Sequence, residues 1–134
     1  MTFAGGCYCG EVRYEAGGEP LFKAQCHCRE CQYITGGAPN LAMMMPAGGF
    51  RYTKGEPKSY KRPDAKAVAS REFCATCGTH MTTRAPGLDA VIVKVGTMDE
   101  PAAYGGPDIA IFTSEQQAFH TIPAVAATFE RLPG

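Results

Sequence analysis

The sequence carries no surplus of either charge, since its 13 basic residues (Lys and Arg) are matched by 13 acidic ones. A nucleic-acid-binding domain normally presents a basic surface, so this balance argues against nucleic acid as a partner. Apolar runs such as Leu41 to Met45 are short, whereas a membrane-spanning helix needs about 20 residues. The first residues also lack the pattern of a secretory signal. We therefore expect no nucleic-acid or membrane partner, and a cytoplasmic location, where thiols stay reduced.

Helical periodicity is scarce, while 16 glycines and 10 prolines interrupt the whole chain. The runs between them are short, and the clearest strand is residues 90–95. This pattern predicts a mainly β fold of short strands joined by turns, in a single domain over residues 1–134. The other predicted elements are strands at 11–15, 21–25, 40–45, 68–73, 80–84 and 108–113, a hairpin-like pair at 50–52 and 59–61, and a short helix within 123–131.

All seven cysteines fall into three groups, and their odd number fits poorly with a closed set of disulfides. Cys74 and Cys77, with Gly78 behind them, form a knuckle in which both sulfurs can face one ion. Cys7 and Cys9 share one face of an extended chain and can complete a tetrahedron. The two pairs together predict a structural zinc site with four thiolates. The alternative is two unrelated pairs of buried or redox-active thiols.

The third group, Cys26, Cys28 and Cys31, has no further cysteine to complete a tetrahedron. Three protein ligands and one exchangeable position are typical of catalytic zinc. The side chain of His27 should point away from its neighbours on the extended chain. His80 or His120 could close the site instead. The remaining alternatives are three core cysteines without a metal and a second structural site.

Charge narrows the chemistry that this second zinc would support. Zinc held by three thiolates has a net charge of about minus one, so it is a poorer Lewis acid than zinc held by three neutral imidazoles. An incoming thiolate is a softer match than water and stays nucleophilic on an anionic centre. The cysteine pattern therefore favours the handling of a substrate thiol, with a small electrophile as its partner.

The sequence resembles the glutathione-dependent formaldehyde-activating enzyme family, also called the GFA/CENP-V family. The resemblance rests on four stretches that span nearly the whole chain: GCYCG at 6–10, CHCRECQ at 26–32 with TG at 35–36, REFCATCGT at 71–79 and GTMDEP at 96–101. It implies the Mss4-like fold, mainly β with several small antiparallel sheets stapled by zinc. It also implies two Zn²⁺ ions per chain at the two sites named above.

The implied activity is that of a carbon–sulfur lyase. The enzymes of this family join glutathione to formaldehyde to give S-hydroxymethylglutathione, or cleave it, so a small thiol and a small aldehyde are the expected partners. The alternative is a zinc-stabilised Mss4-like module that binds protein without catalysis. A cleft at the metal of Cys26–Cys31 would favour the enzyme. An exposed apolar patch would favour the protein-binding module.

Several further polar residues could contact a ligand. Gln32 and Thr35 follow the second site closely and could bond a ligand or simply form a turn. His120 could line a pocket or pack. Glutathione carries two carboxylates and an ammonium group, so its pocket should hold basic side chains. The candidates are Lys23, Arg29, Arg51, Lys54, Arg71 and Arg84.

Overall fold

A computed structural model describes residues 1–64, 69–125 and 127–133. The described residues form eleven β-strands and one α-helix, which confirms the predicted mainly β fold. None of their helices has the length and apolarity needed to cross a membrane. The strands are β1 (Thr2–Gly6), β2 (Arg13–Gly17), β3 (Phe22–Cys26), β4 (Asn40–Pro46), β5 (Phe50–Lys54), β6 (Lys58–Tyr60), β7 (Ser70–Phe73), β8 (His80–Arg84), β9 (Ala90–Lys94), β10 (Ile109–Ile111) and β11 (Ala127–Thr128), and the helix is α1 (Arg29–Thr35).

The strands form two sheets. The small sheet has the order β1-β2-β5, and the large one has the order β11-β10-β3-β4-β9-β8-β7-β6. Strand β10 runs parallel to both of its neighbours, whereas the other described pairs are antiparallel. The mainly antiparallel pairing agrees with the expected fold. The expectation of several small sheets differs from the structure in that one of its two sheets has eight strands.

The main core lies between one face of the large sheet and the small sheet. Alternate residues of a strand point to opposite faces. Met43 and Met45 of β4 are fully buried in this core, and Tyr14 and Ala16 of the small sheet pack in the same cluster. The intervening Met44 is only half-buried and faces the other side. The two faces of β4 therefore serve different parts of the molecule.

A smaller apolar cluster covers the opposite face of the large sheet. It contains Ala24, Cys26, Cys31 and Ile111, with Phe129 packed against them. Helix α1 and the chain after β10 supply part of this cover. The sheet therefore separates the cysteine group of residues 26–31 from the main core.

The predicted hairpin between residues 50–52 and 59–61 is wrong. Strand β5 pairs with β2, and β6 pairs with β7. The ring of Phe50 stacks on Tyr14 with 5.4 Å between centroids, and Arg51 forms an ion pair with Glu15 at 3.0 Å. These contacts between distant segments outweigh the proximity in sequence that suggested a hairpin.

The predicted helix within 123–131 is also wrong, although residue 126 lies outside the described residues. The segment instead contributes β11, which pairs with β10. The N–H of Phe129 donates to the carbonyl of Ala110 at 2.9 Å, and the N–H of Thr113 donates to the carbonyl of Phe129 at 3.1 Å. The backbone groups that a helix would need are thus bonded to another part of the chain. Strand β1 was not predicted. The strand predicted at 68–73 is observed as β7, which begins at Ser70, and residue 68 lies outside the described residues.

We expect Gly5→Ala to destabilise the fold by about 1–3 kcal/mol, as overpacking of a close contact does. A Cβ on Gly5 would overlap the carbonyl oxygen of Thr97 and the hydroxyl of Tyr14. Gly48→Ala is the matched control, because a Cβ there meets nothing within 4 Å. Urea unfolding of both variants measures the difference, and equal stabilities would contradict this account of the contact between β1 and the segment after β9.

Candidate metal centres

The sulfurs of Cys7, Cys9, Cys74 and Cys77 all lie within 4.8 Å of one another. The Sγ–Sγ distance is 3.6 Å for Cys7 and Cys9 and 3.7 Å for Cys9 and Cys74. A tetrahedron with zinc–sulfur bonds of about 2.3 Å places its sulfurs about 3.8 Å apart. The donor type and the spacing of this group therefore fit zinc.

The knuckle is built by its own turn. The N–H of Gly78 donates to the carbonyl of Cys74 at 2.8 Å, and Gly78 has a φ of 78°, as predicted. A left-handed residue there turns the chain back, so that the N–H of Cys74 donates to the carbonyl of Thr79 at 2.9 Å. The N–H of Cys77 points at the sulfur of Cys74 at 3.5 Å. The turn thus directs both sulfurs to one point.

Thr79 joins the two halves of this group, a role that the sequence analysis missed. Its hydroxyl oxygen accepts the N–H of Tyr8 at 3.0 Å, so its proton is free to face the sulfur of Cys77 at 3.2 Å. This hydrogen bond, followed by the backbone N–H of Thr79, lowers the pKa of Cys77 to about 5. Thr79 therefore favours the thiolate form that a metal needs.

The second group consists of Cys26, Cys28 and Cys31, whose sulfurs also lie within 4.8 Å of one another. Cys26 ends β3, Cys28 is the N-cap of α1, and Cys31 lies in the first turn of that helix. The sulfur of Cys28 accepts the N–H of Cys31 at 3.4 Å. The change from strand to helix brings the three sulfurs together, and among the described residues no fourth ligand joins them.

Two cations, Arg71 and Lys94, lie near this second group. Hydrogen bonds from the thiols of Cys26 and Cys31 lower the pKa of Cys28 to about 2, with a smaller contribution from Arg71. Burial lowers the pKa of Lys94 to about 8, although the charge of Cys31 opposes this shift. The site therefore supports at least one thiolate, and two cations lie near it.

The side chain of His27 points away from the sulfurs, as predicted. It takes part in a network of hydrogen bonds with His120 and Gln25. The Nε2 of His120 lies 2.8 Å from the carbonyl oxygen of Gly37, which can only accept, so this nitrogen carries the proton. The Nδ1 of His120 then accepts the N–H of Gln117 at 3.2 Å and that of His27 Nδ1 at 3.0 Å. Gln25 donates to the other nitrogen of His27 at 3.2 Å. Both rings are therefore engaged in neutral forms, and burial lowers the pKa of His27.

Neither of the other two histidines closes the second group in this structure. His120 is buried and belongs to the hydrogen-bond network just described. Its role is therefore in packing and not in lining a pocket. His80 has a buried Nε2 without a hydrogen-bond partner among the described residues, and burial lowers its pKa to about 4. Its ring lines a separate recess together with Asn40 and Lys94.

A cavity of about 150 Å³ is lined in part by Cys26 and Cys31. Most of its wall is one face of the large sheet, with residues from β3, β4, β9, β8, β7 and β10, and α1 and the segment after β11 each add one residue. The cleft that the enzyme hypothesis required is thus present beside two of the three cysteines. The other lining residues are Phe22, Ala24, Asn40, Ala42, Met44, Arg71, Thr83, Ile92, Lys94, Ile111 and Leu132.

The six basic side chains proposed for glutathione do not converge. Each forms a hydrogen bond elsewhere in the protein, and only Arg71 lines the cavity. The cation that sequence reasoning missed is Lys94, the one charged residue in the otherwise apolar run 90–95. A lone lysine within an apolar strand was the one signal in the sequence, and the pairing of Lys94 with Ala42 places it beside the cavity. The partners of the six are Tyr104 for Lys23, Gln32 for Arg29, Glu15 for Arg51, Gly10 for Lys54, Glu30 and Thr83 for Arg71, and Glu72 for Arg84.

Gln32 and Thr35 are structural. The amide of Gln32 donates to the carbonyl of His27 at 2.8 Å and to that of Glu115 at 3.0 Å. Its oxygen accepts from Arg29 at 2.6 Å and from Gln117 at 3.1 Å. The hydroxyl of Thr35 donates to the carbonyl of Ala38. The amide of Gln32 is therefore fully used within the protein, and the hydroxyl of Thr35 donates within the turn that follows α1.

Comparisons with known proteins agree with the resemblance seen in the sequence. A family model described as "Glutathione-dependent formaldehyde-activating enzyme" matches residues 2–115. Among curated proteins, no relative matches this chain. A crystal structure of a Rhodobacter sphaeroides protein is similar, with a TM-score of 0.58 and 22% identity, covering 72% of this chain and 87% of that one. At this identity the likeness concerns the fold alone.

The family model covers most of the chain and includes all seven cysteines, which form the two groups described above. The chain therefore belongs to the glutathione-dependent formaldehyde-activating enzyme (GFA) family.

Proposed function

We propose that this protein is a zinc-dependent carbon–sulfur lyase that joins a small thiol to a small aldehyde, or cleaves the adduct. Glutathione and formaldehyde are the substrates in the name of its family. In this proposal one zinc ion on Cys7, Cys9, Cys74 and Cys77 is structural, and a second, on the group of residues 26–31, is catalytic. The observation that carries the proposal is a cavity lined by Cys26 and Cys31, two members of a group with three sulfur ligands among the described residues.

The donor set of the second group decides which ligand the site prefers. Zinc held there would supply a soft, anionic centre that takes sulfur in preference to water. Cys26 and Cys31 face the cavity, and Lys94 and Arg71 provide positive charge that offsets the thiolates. The lining of the cavity is mostly apolar. These features support a site for a thiolate and a small electrophile.

Among the described residues that line the cavity, none is a carboxylate or a histidine. We therefore assign no general base, and the substrate thiol is expected to lose its proton to solvent. Binding should then strengthen as the pH rises toward the thiol pKa of about 8.5. The cavity also favours an enzyme over a protein-binding module, because a module needs no recess beside its metal.

Two serine variants should separate the roles of the metal sites. We expect about two zinc ions per chain in protein purified without chelator, and about one in either Cys28→Ser or Cys74→Ser. Cys74→Ser should lose about 3 kcal/mol or more and about 10 °C in Tm, because the four-thiolate site joins distant segments. Cys28→Ser should lose much less, since serine can still cap α1 and this site joins only a local stretch.

Elemental analysis and thermal unfolding of the three proteins give these values. One zinc ion in the wild type, unchanged in Cys28→Ser, would reject the second site. Equal losses of Tm in the two variants would reject the division into a structural and a catalytic zinc.

A direct test of the activity follows formaldehyde in the presence of a thiol. We expect the zinc-loaded wild type to accelerate adduct formation, and Cys28→Ser to lose the acceleration while it stays folded with one zinc ion. Magnetisation-exchange NMR between free and adduct formaldehyde measures the rate at equilibrium. An equal rate in wild type and Cys28→Ser would contradict catalysis at this group.

A further inference from the structure

The cavity beside Cys26 and Cys31 is shaped by three rows of residues that cross the large sheet. The middle row sets Ala24 opposite Ala42, and Ala42 opposite Lys94. Because two members of this row are alanines, space remains above them. The next row, Phe22, Met44 and Ile92, closes one end with large apolar side chains, and Cys26 with Asn40 closes the other.

The volume and lining of this cavity set the size of its occupant. A space of about 150 Å³ lined by apolar side chains is large enough for a benzene-sized molecule. Pockets for drug-sized ligands are about 300 Å³ or larger. Glutathione is a tripeptide with three charged groups, so it is too large to lie wholly within this space, and a charged end that entered would meet mostly apolar walls.

The charges near the cavity also differ from what glutathione needs. The guanidinium of Arg71 is already bonded to Glu30 at 2.8 Å and to Thr83 at 3.0 Å. Lys94 is only 7% exposed, and its ammonium makes no hydrogen bond or ion pair to any residue within the described ranges. The ammonium of a largely buried lysine is favoured by nearby negative charge. Lys94 lines both this cavity and the recess beside His80, and it offers the cavity a cation without a direct partner among the described residues.

Resting on the thiol chemistry proposed above, we propose that the thiol substrate of this site is a small apolar mercapto acid rather than glutathione. Its carbon skeleton fills the space above Ala24 and Ala42, its carboxylate pairs with Lys94, and its sulfur would bind the zinc held by Cys26, Cys28 and Cys31. A short chain between sulfur and carboxylate suits this arrangement, because Lys94, Cys26 and Cys31 all line this one cavity of about 150 Å³.

Wild-type protein with its zinc bound provides the first test. Calorimetric titration should show 3-mercaptopropionate binding at least about tenfold more tightly than glutathione, and more tightly than its own methyl ester, which lacks the charge. Tighter binding of glutathione, or equal binding of acid and ester, would overturn the proposal.

The methionines of β4 locate the bound thiol without any substitution. Met44 lines the cavity, whereas Met43 and Met45 are buried on the opposite face of the same strand. With ¹³C-methyl-labelled methionine, 3-mercaptopropionate should shift the NMR signal of Met44 and leave those of Met43 and Met45 in place. Binding that leaves Met44 unshifted would locate the thiol elsewhere and overturn the proposal.

Lys94→Met tests the carboxylate contact. We expect the variant to bind 3-mercaptopropionate about tenfold or more weakly and the methyl ester within about twofold of wild type. Lys58→Met, at an exposed position of β6, should change neither. Equal weakening of acid and ester would mean that Lys94 only balances the charge of the cysteines, which overturns the contact. The wild-type comparison of acid and ester decides the matter if this variant does not fold.

The same titrations distinguish this proposal from the one on which it rests. Turnover of formaldehyde with glutathione but not with 3-mercaptopropionate would leave the lyase function standing and reject the mercapto acid. Absence of binding and turnover with every thiol would reject both.

Discussion

The rest of the structure depends on one constraint, which is that seven cysteine sulfurs gather into two close groups, one of four and one of three. Thiolates repel one another, so sulfurs within 4.8 Å call for a cation and for a backbone that holds them. The four-cysteine group joins residues as far apart in sequence as Cys9 and Cys74, whose sulfurs are 3.7 Å apart. It therefore ties the entry to β2 to the turn between β7 and β8. In a chain of 134 residues such a link closes a large loop.

The two faces of β4 have different roles. Met43 and Met45 fill the core toward the small sheet, while Ala42 and Met44 line the cavity on the other side. Strand alternation thus uses one segment both for stability and for the candidate site. Because the large sheet separates the two, a substitution at Ala42 can alter ligand binding while the main core keeps its contacts.

Much of the candidate site could be predicted from the sequence because it depends on local spacing. The pairs Cys7–Cys9 and Cys74–Cys77, the grouping of Cys26, Cys28 and Cys31 and the left-handed Gly78 all follow from residues close together in the chain. Errors arose where distant segments decide the outcome. Residues 50–60 form strands, but their partners are β2 and β7, and the segment after residue 123 pairs with β10. Lys94 was missed because only the register of β9 against β4 brings it to the cysteines.

The central claim is that the two groups hold zinc with different numbers of sulfur ligands. X-ray absorption at the zinc edge counts those sulfurs. For protein with both ions and no added thiol, the account predicts an average of about 3.5 sulfurs per zinc, together with a lighter ligand at the open position. A small thiol should raise the average to about four, and Cys28→Ser with one ion should show about four without any thiol. Four sulfurs around every zinc ion of the untreated wild type would contradict an open site.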